Sequence, residues 1–416
     1  MAETAPDRSA REHRRALLAV FSSTYFVRFA FGITVAVFAS YIQGQTAGIG
    51  QGEVGVVGFV SAMAPVGELS TVLVSGLAAD RYGRFPVLFA GIGASALIFA
   101  LKATSRSPVV LGGLNLLFGI ASGAILAASL ALVADWSRSD ERGFEMGRFD
   151  AMNLFGWVSG FAFGFAALGL LPNARLNVVF GVGAAMLAGG LLLAYRLVRG
   201  LPSRPRTATF DLSEVLRHAF RRSVLLVILP WLVIYMLIGT ALVFLGSAAS
   251  GLGISPTYLA LAIGLGGAVL VVTQPYFGRL SDRTGRMRLM MVGTVGFVAL
   301  MGFASLAVAY GARPVILGGI AASVLPALAY GPAALAALAD LAAEMSRATT
   351  MAIYSLTISA GMVVGLVLSP SLFAVLGTGG LYLFFGVIAG GLVGLTVARY
   401  RDEEALLSEG LTTRAR

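Results

Sequence analysis

Cysteine is absent from this 416-residue chain, which rules out disulfides, thiolate metal sites and cysteine nucleophiles. Histidine is nearly absent. His13 and His218 are the only two, and both lie outside the apolar runs, so a buried metal centre has no ligands to draw on and none is expected. Charge is scarce too: Asp, Glu, Lys and Arg make up 12% of the chain. A soluble domain carries about 25%, because its surface must face water. Here most of the surface must face something else.

What fills the chain instead is apolar, at 57% hydrophobic residues and a mean hydropathy of +0.87. Runs of about 20 apolar residues recur, each long enough to cross about 30 Å of hydrocarbon as a helix. In that medium every backbone polar group must be satisfied within its own segment, so the runs are read as helices. The 53 glycines and 13 methionines suit helices that pack closely in lipid. The spacing of charged and Gly/Pro breaks predicts twelve spans. In the first half they fall near 16–42, 54–79, 86–104, 109–134, 147–171 and 176–198; in the second, near 222–247, 257–280, 288–310, 314–339, 350–374 and 380–398. The expected class is therefore an all-α polytopic membrane protein with two six-helix bundles, 16–198 and 222–398. A connector at 199–221 joins them, and the tails 1–15 and 399–416 are read as frayed and solvated.

Arginine and lysine give the orientation. With the amino terminus inside, the outer loops hold only Lys102, Arg106, Arg175 and Arg313, Arg28 lies within a span, and the other 25 of the 30 basic residues fall on the cytoplasmic side. The net charge of +10 is thus a topology signal, with anionic lipid headgroups as its partner and no nucleic acid implied. Both termini are expected in the cytoplasm, and the protein in the cell membrane as a monomer.

Two stretches repeat. GLAADRYGRFPVL (Gly76 to Leu88) and GRLSDRTGRMRLM (Gly278 to Met290) share Gly, Leu, Asp, Arg, Gly and Arg at matching offsets, 202 residues apart. Asp135 and Arg142 match Asp340 and Arg347 at an offset of 205, as Gly156 and Gly160 match Gly361 and Gly365. A duplicated six-helix unit follows. About five residues join the helices at each repeat, so Gly83 and Gly285 are expected to supply unusual dihedrals. Gly76 and Gly278 are expected to allow close helix contact. Asp80 and Asp282 are placed to cap the next helix or accept from Arg84 and Arg286.

On these residues the chain resembles the major facilitator superfamily, whose loop signature G-x-L-a-D-r-x-G-r-k-x-x-l both stretches match. DWSRSDERGFEMG, after span four, is similar to that family's acidic-then-RG segment. The resemblance implies alternating access and a cytoplasmic gate latched by Asp80, Arg84 and Asp135, with Asp282, Arg286 and Asp340 as the second copy. Arg81, Arg142, Arg283 and Arg347 belong to the same clusters. Proton-coupled members often carry an arginine in span four; NLLFGIASG puts Asn115 there. Many drug exporters carry proline in the glycine signature of span five; NLFGWVSGFAFG has Gly156, Gly160 and Gly164 without it, and these read as a packing face.

Arg28 and Glu68 lie inside apolar runs, each about twelve residues or ~18 Å from the inner edge of its span. A lone charge there is costly, so both are expected to point inward and pair. Ser22, Tyr25, Arg28 and Gly32 share one face of span one, and Ser61, Pro65, Glu68 and Ser75 one face of span two. The pair either fixes helix registry or makes Glu68 a proton carrier tuned by Arg28, and Arg28 can equally bind a substrate anion. Tyr25, Asn115, Tyr235, Gln274, Tyr330 and Tyr354 are further candidates for a substrate path. The preferred expectation is a proton-driven exporter of an amphipathic or lipophilic small molecule, with the proton gradient as energy source and no cofactor. Symport of a small organic anion comes next. A membrane-embedded enzyme is a remote alternative: with no Cys and no intramembrane His, no catalytic set stands out. Paired gate latches on a duplicated bundle argue against a passive channel.

Overall fold

The computed structural model describes residues 5–46, 52–136, 142–172, 175–201, 222–251, 254–311, 313–341 and 347–414, and these form helices and short turns. The first half holds α1 (Ala5–Thr46), α2 (Gly52–Tyr82), α3 (Arg84–Thr104), α4 (Pro108–Trp136), α5 (Arg142–Leu170) and α6 (Asn177–Val198). The second holds α7 (Arg222–Gly251), α8 (Pro256–Thr284), α9 (Arg286–Tyr310), α10 (Pro314–Leu328), α11 (Tyr330–Leu341) and α12 (Arg347–Arg414). The connector at 202–221 lies outside the described residues.

Among the described residues eight helices are long and apolar enough to cross a membrane. A bent pair, Ser355–Leu368 with Ser371–Gly377, makes a ninth. Shorter apolar stretches, Phe59–Val72, Val227–Thr240 and Gly379–Leu392, stand at the remaining expected positions, consistent with twelve crossings. Large apolar side chains point outward around the molecule, Val109, Val272 and Val315 among them, as a surface bathed in hydrocarbon requires. α10 and α11 share the tenth span, broken beyond Pro326, where the Ala329 amide turns back to the Pro326 and Ala327 carbonyls. α12 carries the eleventh and twelfth, separated at Gly377 with φ 64°. The tails are not frayed as expected: α1 is helical from Ala5 and α12 runs to Arg414, because their Ala-, Arg- and Leu-rich sequences continue the helix past the apolar run.

The repeated loops are tighter than expected. A single residue separates α2 from α3 and α8 from α9, and both are glycines at φ 93°, Gly83 and Gly285. An L side chain rarely adopts that conformation, so glycine is what permits a one-residue reversal. The ends carrying these turns are called the loop end below; the opposite end, carrying Ser105 and Gly311, is the far end.

The packing repeats as well. In the first half α1 lies on α5 and α3 on α6; in the second α7 lies on α12 and α9 on α12. Glycines allow the first kind of contact. A Cβ on Gly156 would stand 2.6 Å from the Tyr25 carbonyl oxygen, and one on Gly361 2.7 Å from that of Leu232. Gly160 meets the Phe29 carbonyl and Gly365 that of Met236 in the same way. Gly156 also faces the Arg28 Cβ and Gly361 the Tyr235 Cβ, so Tyr235 stands in the second half where Arg28 stands in the first.

Between the halves, α5 packs on α8 and α2 on α12. Gly267 lies against Val158, Gly264 near Ala162, and Gly169 against Thr257; Leu259, Ala260 and Met362 join the buried apolar cluster of the first half. These contacts are at the middle and far end. Gly278 is eleven residues from Gly267 and on the same helix face, yet a Cβ placed there would meet nothing within 4 Å, so along this face the halves part toward the loop end. The expected close contact at Gly76 is also absent. α2 presses on α4 through Gly67, against the Leu116 carbonyl, and Gly76, nine residues on, points to the opposite side.

Candidate coupling site

Arg28 on α1 and Glu68 on α2 meet inside the first half, 5% and 3% exposed. The guanidinium donates from Nη1 to Glu68 Oε2 and from Nη2 to Oε1, each at 3.2 Å. Its Nε donates to Asn153 Oδ1 on α5 at 2.7 Å, and Ser122 Oγ on α4 donates to Glu68 Oε2 at 3.0 Å. Arg28 also stands 5.9 Å from the centre of the Phe31 ring. Four helices therefore converge on one neutral ion pair. Gly156 brings α5, and with it Asn153, up to Arg28; Gly123, whose Cβ would lie 3.1 Å from the Glu68 carbonyl oxygen, does the same for α4.

The arrangement suits a two-state switch. With Glu68 ionised, the forked contact and its added donors balance both charges. If Glu68 takes a proton, the guanidinium is left uncompensated among apolar walls and must gain water or another anion. Asn153 and Ser122 were not among the expected site residues, though each left a trace: Asn153 precedes Gly156 by three, and Ser122 follows Asn115 by seven, both helical repeats of one face.

The largest correction concerns Lys102. It is not in a loop. It belongs to α3 and is 0% exposed. Its Nζ donates to Asn115 Oδ1 at 2.8 Å and lies 4.7 Å from the ring centres of Phe99 and Phe118 and 5.6 Å from that of Phe38. Asn115 Nδ2 in turn donates to the Val60 carbonyl at 3.0 Å. A lysine two residues from a helix end normally extends toward water; here three aromatic faces draw the ammonium inward.

Asn115 borders a cavity of about 10 Å³ between the halves, walled by Phe31, Thr34 and Phe118 on one side and Met362 and Leu366 on the other. It has room for about one water. Of the other expected pathway residues, Tyr25 is half-buried against Phe26, Phe29 and Phe155, and its hydroxyl accepts from Ser159 Oγ at 3.4 Å. Tyr235 is half-buried beside Trp231 and touches apolar clusters of both halves. Gln274 is half-buried on α8. Tyr330 is fully packed, its hydroxyl donating to the Val227 carbonyl at 3.2 Å, so it does not line a path. Tyr354 lies outside the described side chains.

At the loop end Arg84, at the start of α3, forms an ion pair with Asp135 near the end of α4 and donates to the Ala131 carbonyl. Both belong to one half, so this contact braces α3 on α4. In the second half Arg286 Nη1 donates to Ser281 Oγ at 2.7 Å. Arg81 and Arg283 are exposed. Glycines cap α3 and α9. The side chains of Asp80, Arg142, Asp282, Asp340 and Arg347 lie outside the described residues.

A family model described as Major Facilitator Superfamily matches residues 17–327 and 232–414. Among solved structures, the fold is similar to that of the human organic anion transporter MFSD10 (TETRAN): TM-score 0.73, 17% identity, covering 92% of this chain and 99% of that one.

Proposed function

Because this chain belongs to the major facilitator superfamily, and so is a multi-pass membrane protein with the fold of a secondary transporter, we propose that it drives solute movement with protons carried by Glu68. The observation that carries the reading is the enclosed fork of Arg28 on Glu68, tied to α4 and α5 by Ser122 and Asn153. Protonating the carboxylate forms an O–H bond on Glu68 and frees the guanidinium. The freed cation then favours a conformer in which water or substrate reaches it.

The preferred cargo is an amphipathic or lipophilic small molecule, exported against proton entry, since the walls near the pair are apolar and aromatic: Phe31, Phe118, Trp157 and Phe161. Both termini are cytoplasmic, in the cell membrane, and the chain works as a monomer. On that orientation the parting of α8 from the first half at Gly278 faces the cytoplasm, which supports an inward-open conformer. Arg84 and Asp135 act at the inner gate by keeping α3 and α4 in register while the halves rock.

A second reading has its own support. Arg28 already holds a carboxylate by two parallel bonds, and an organic anion offering the same oxygens could replace Glu68 once Glu68 is protonated, giving proton–anion symport. Full-length protein in proteoliposomes separates the two. Under an imposed pH gradient, flux of a lipophilic cationic dye beyond that of protein-free liposomes favours export, and such protein-dependent flux of benzoate favours symport. In either case Glu68→Gln should abolish the response to the gradient while a thermal-shift screen still detects binding. Gradient-driven flux that survives in Glu68→Gln sinks the proton role.

A further inference from the structure

Lys102 is the only lysine among the 30 basic residues; every other is arginine. Among the described residues it is also the one basic residue the fold encloses completely. The chain thus places its one lysine, an ammonium that can lose its proton, in a closed aromatic pocket, and uses the permanently charged arginine at every other Lys/Arg position. The pocket supplies one hydrogen bond, to a neutral amide, and the faces of Phe38, Phe99 and Phe118. Among the described residues no carboxylate partners it.

Charged groups around the pocket are few. From α1 come Tyr41, whose hydroxyl donates to the Ser105 carbonyl at 2.7 Å, and Arg28, separated by Phe31 and Phe118. Glu68 of α2 is held by Arg28. α4 contributes Asn115, and α6 contributes Asn177, which donates to the Ala103 carbonyl at 3.2 Å. Arg106 follows α3 itself, beyond the pocket. Among the described residues, an ammonium here is therefore compensated by ring faces and one amide alone.

Asn115 connects this pocket to the cavity between the halves, whose opposite wall is Met362 and Leu366 of α12. When the halves separate at the far end, that wall withdraws and water reaches Asn115. We infer that Lys102 is a second proton-binding site of the transporter, loaded from the far side while that end is open and relieved of its proton as the apolar wall closes. In the relieving step an N–H bond of the ammonium breaks, the electron pair stays on Nζ, and the proton leaves on water. The alternative ligand, an organic anion, fits less well: the ammonium does not border the cavity, and about 10 Å³ beside Asn115 admits water and nothing larger. The inference does not depend on Glu68 carrying protons.

The lack of cysteine makes a direct test available. Met362→Cys introduces a sole thiol on the mid-depth wall of the cavity, reportable when the far end opens by a membrane-impermeant maleimide applied to the far side of oriented proteoliposomes. The charged form of Lys102 prefers the wetted, open end, so labelling, taken relative to a fully exposed thiol at the same pH because the thiolate is what reacts, should quicken as far-side pH falls. From about pH 8 to about pH 6 the rise should be about fivefold, within the limit of about tenfold per pH unit for one proton. In a Glu68→Gln background the dependence should persist, and there added Lys102→Arg should label fast at every pH and added Lys102→Met slowly at every pH. A full-length sample carrying a ¹³Cε lysine label gives one lysine resonance, which should move with pH over the same range and be unaffected by Glu68→Gln. A pH dependence of the normalised labelling rate that persists when Lys102→Met is combined with Glu68→Gln overturns the inference. So does a resonance that stays at the ammonium position throughout. Benzoate protection of the introduced thiol that needs Lys102 and shows no pH effect would also overturn it, assigning an anion site instead.

Discussion

Replacing Glu68 by alanine should be far more harmful than removing the whole ion pair. In the native arrangement Glu68 accepts two bonds from Arg28 and one from Ser122, and both charged side chains are almost wholly enclosed. Glu68→Ala leaves the guanidinium with Asn153 and the Phe31 face only. Stranding a buried charge in this way costs about 3–5 kcal/mol. The double variant Arg28→Met with Glu68→Leu removes both charges, fills similar volume and orphans only the Asn153 and Ser122 groups, at about 1 kcal/mol each. It should therefore stay within about 2 kcal/mol of the parent, so the two sites couple by well over 1 kcal/mol, the range expected of directly touching residues. Reversible unfolding in mixed micelles, followed by tryptophan fluorescence over a denaturing-detergent titration, measures all three variants. An alanine variant within about 1 kcal/mol of the parent, or a cycle in which the single effects simply add, would refute the enclosed-pair reasoning.

Three further outcomes follow from the helix contacts, the α2–α3 turn and the loop-end ion pair. Gly156→Ala and Gly361→Ala should each destabilise by about 1–3 kcal/mol, because a Cβ would press on a carbonyl oxygen of the neighbouring helix, whereas Gly76→Ala should be nearly neutral; equal melting temperatures for all three would contradict the packing. Gly83→Ala should cost about 1–3 kcal/mol through the strained positive φ of the α2–α3 turn, read as a lowered melting temperature of purified protein. Asp135→Asn, at a part-exposed ion pair, should change stability by less than about 1 kcal/mol yet alter how readily a single cysteine at the loop end is labelled. Unchanged labelling there would leave Arg84 and Asp135 with a bracing role alone.

Much of the architecture could be read from residue order, since the properties involved are local or repeat along the chain. Apolar length places a helix across hydrocarbon whatever its neighbours are, and the DRYGR and DRTGR turns need glycine wherever they occur, as Gly83 and Gly285 bear out at φ 93°. The glycine rows at Gly156, Gly160, Gly361 and Gly365 were legible for the same reason: each spacing keeps small residues on one face. The meeting of Arg28 and Glu68 followed from the cost of isolated charge in lipid, which admits few alternatives. Tertiary packing decided the rest. Whether Gly76 faces a helix depends on which side of α2 docks on α4, and Gly67 claims that side. Asn153 and Ser122 reach the ion pair only because Gly156 and Gly123 let α5 and α4 come close. Lys102 shows the divide most sharply: its position near a helix end points to a water-facing lysine, but Phe38, Phe99, Phe118 and Asn115, drawn from three helices, create a pocket that no stretch of sequence contains. Side-chain direction within the bundle, set by which faces pack, turned a loop charge into a buried one.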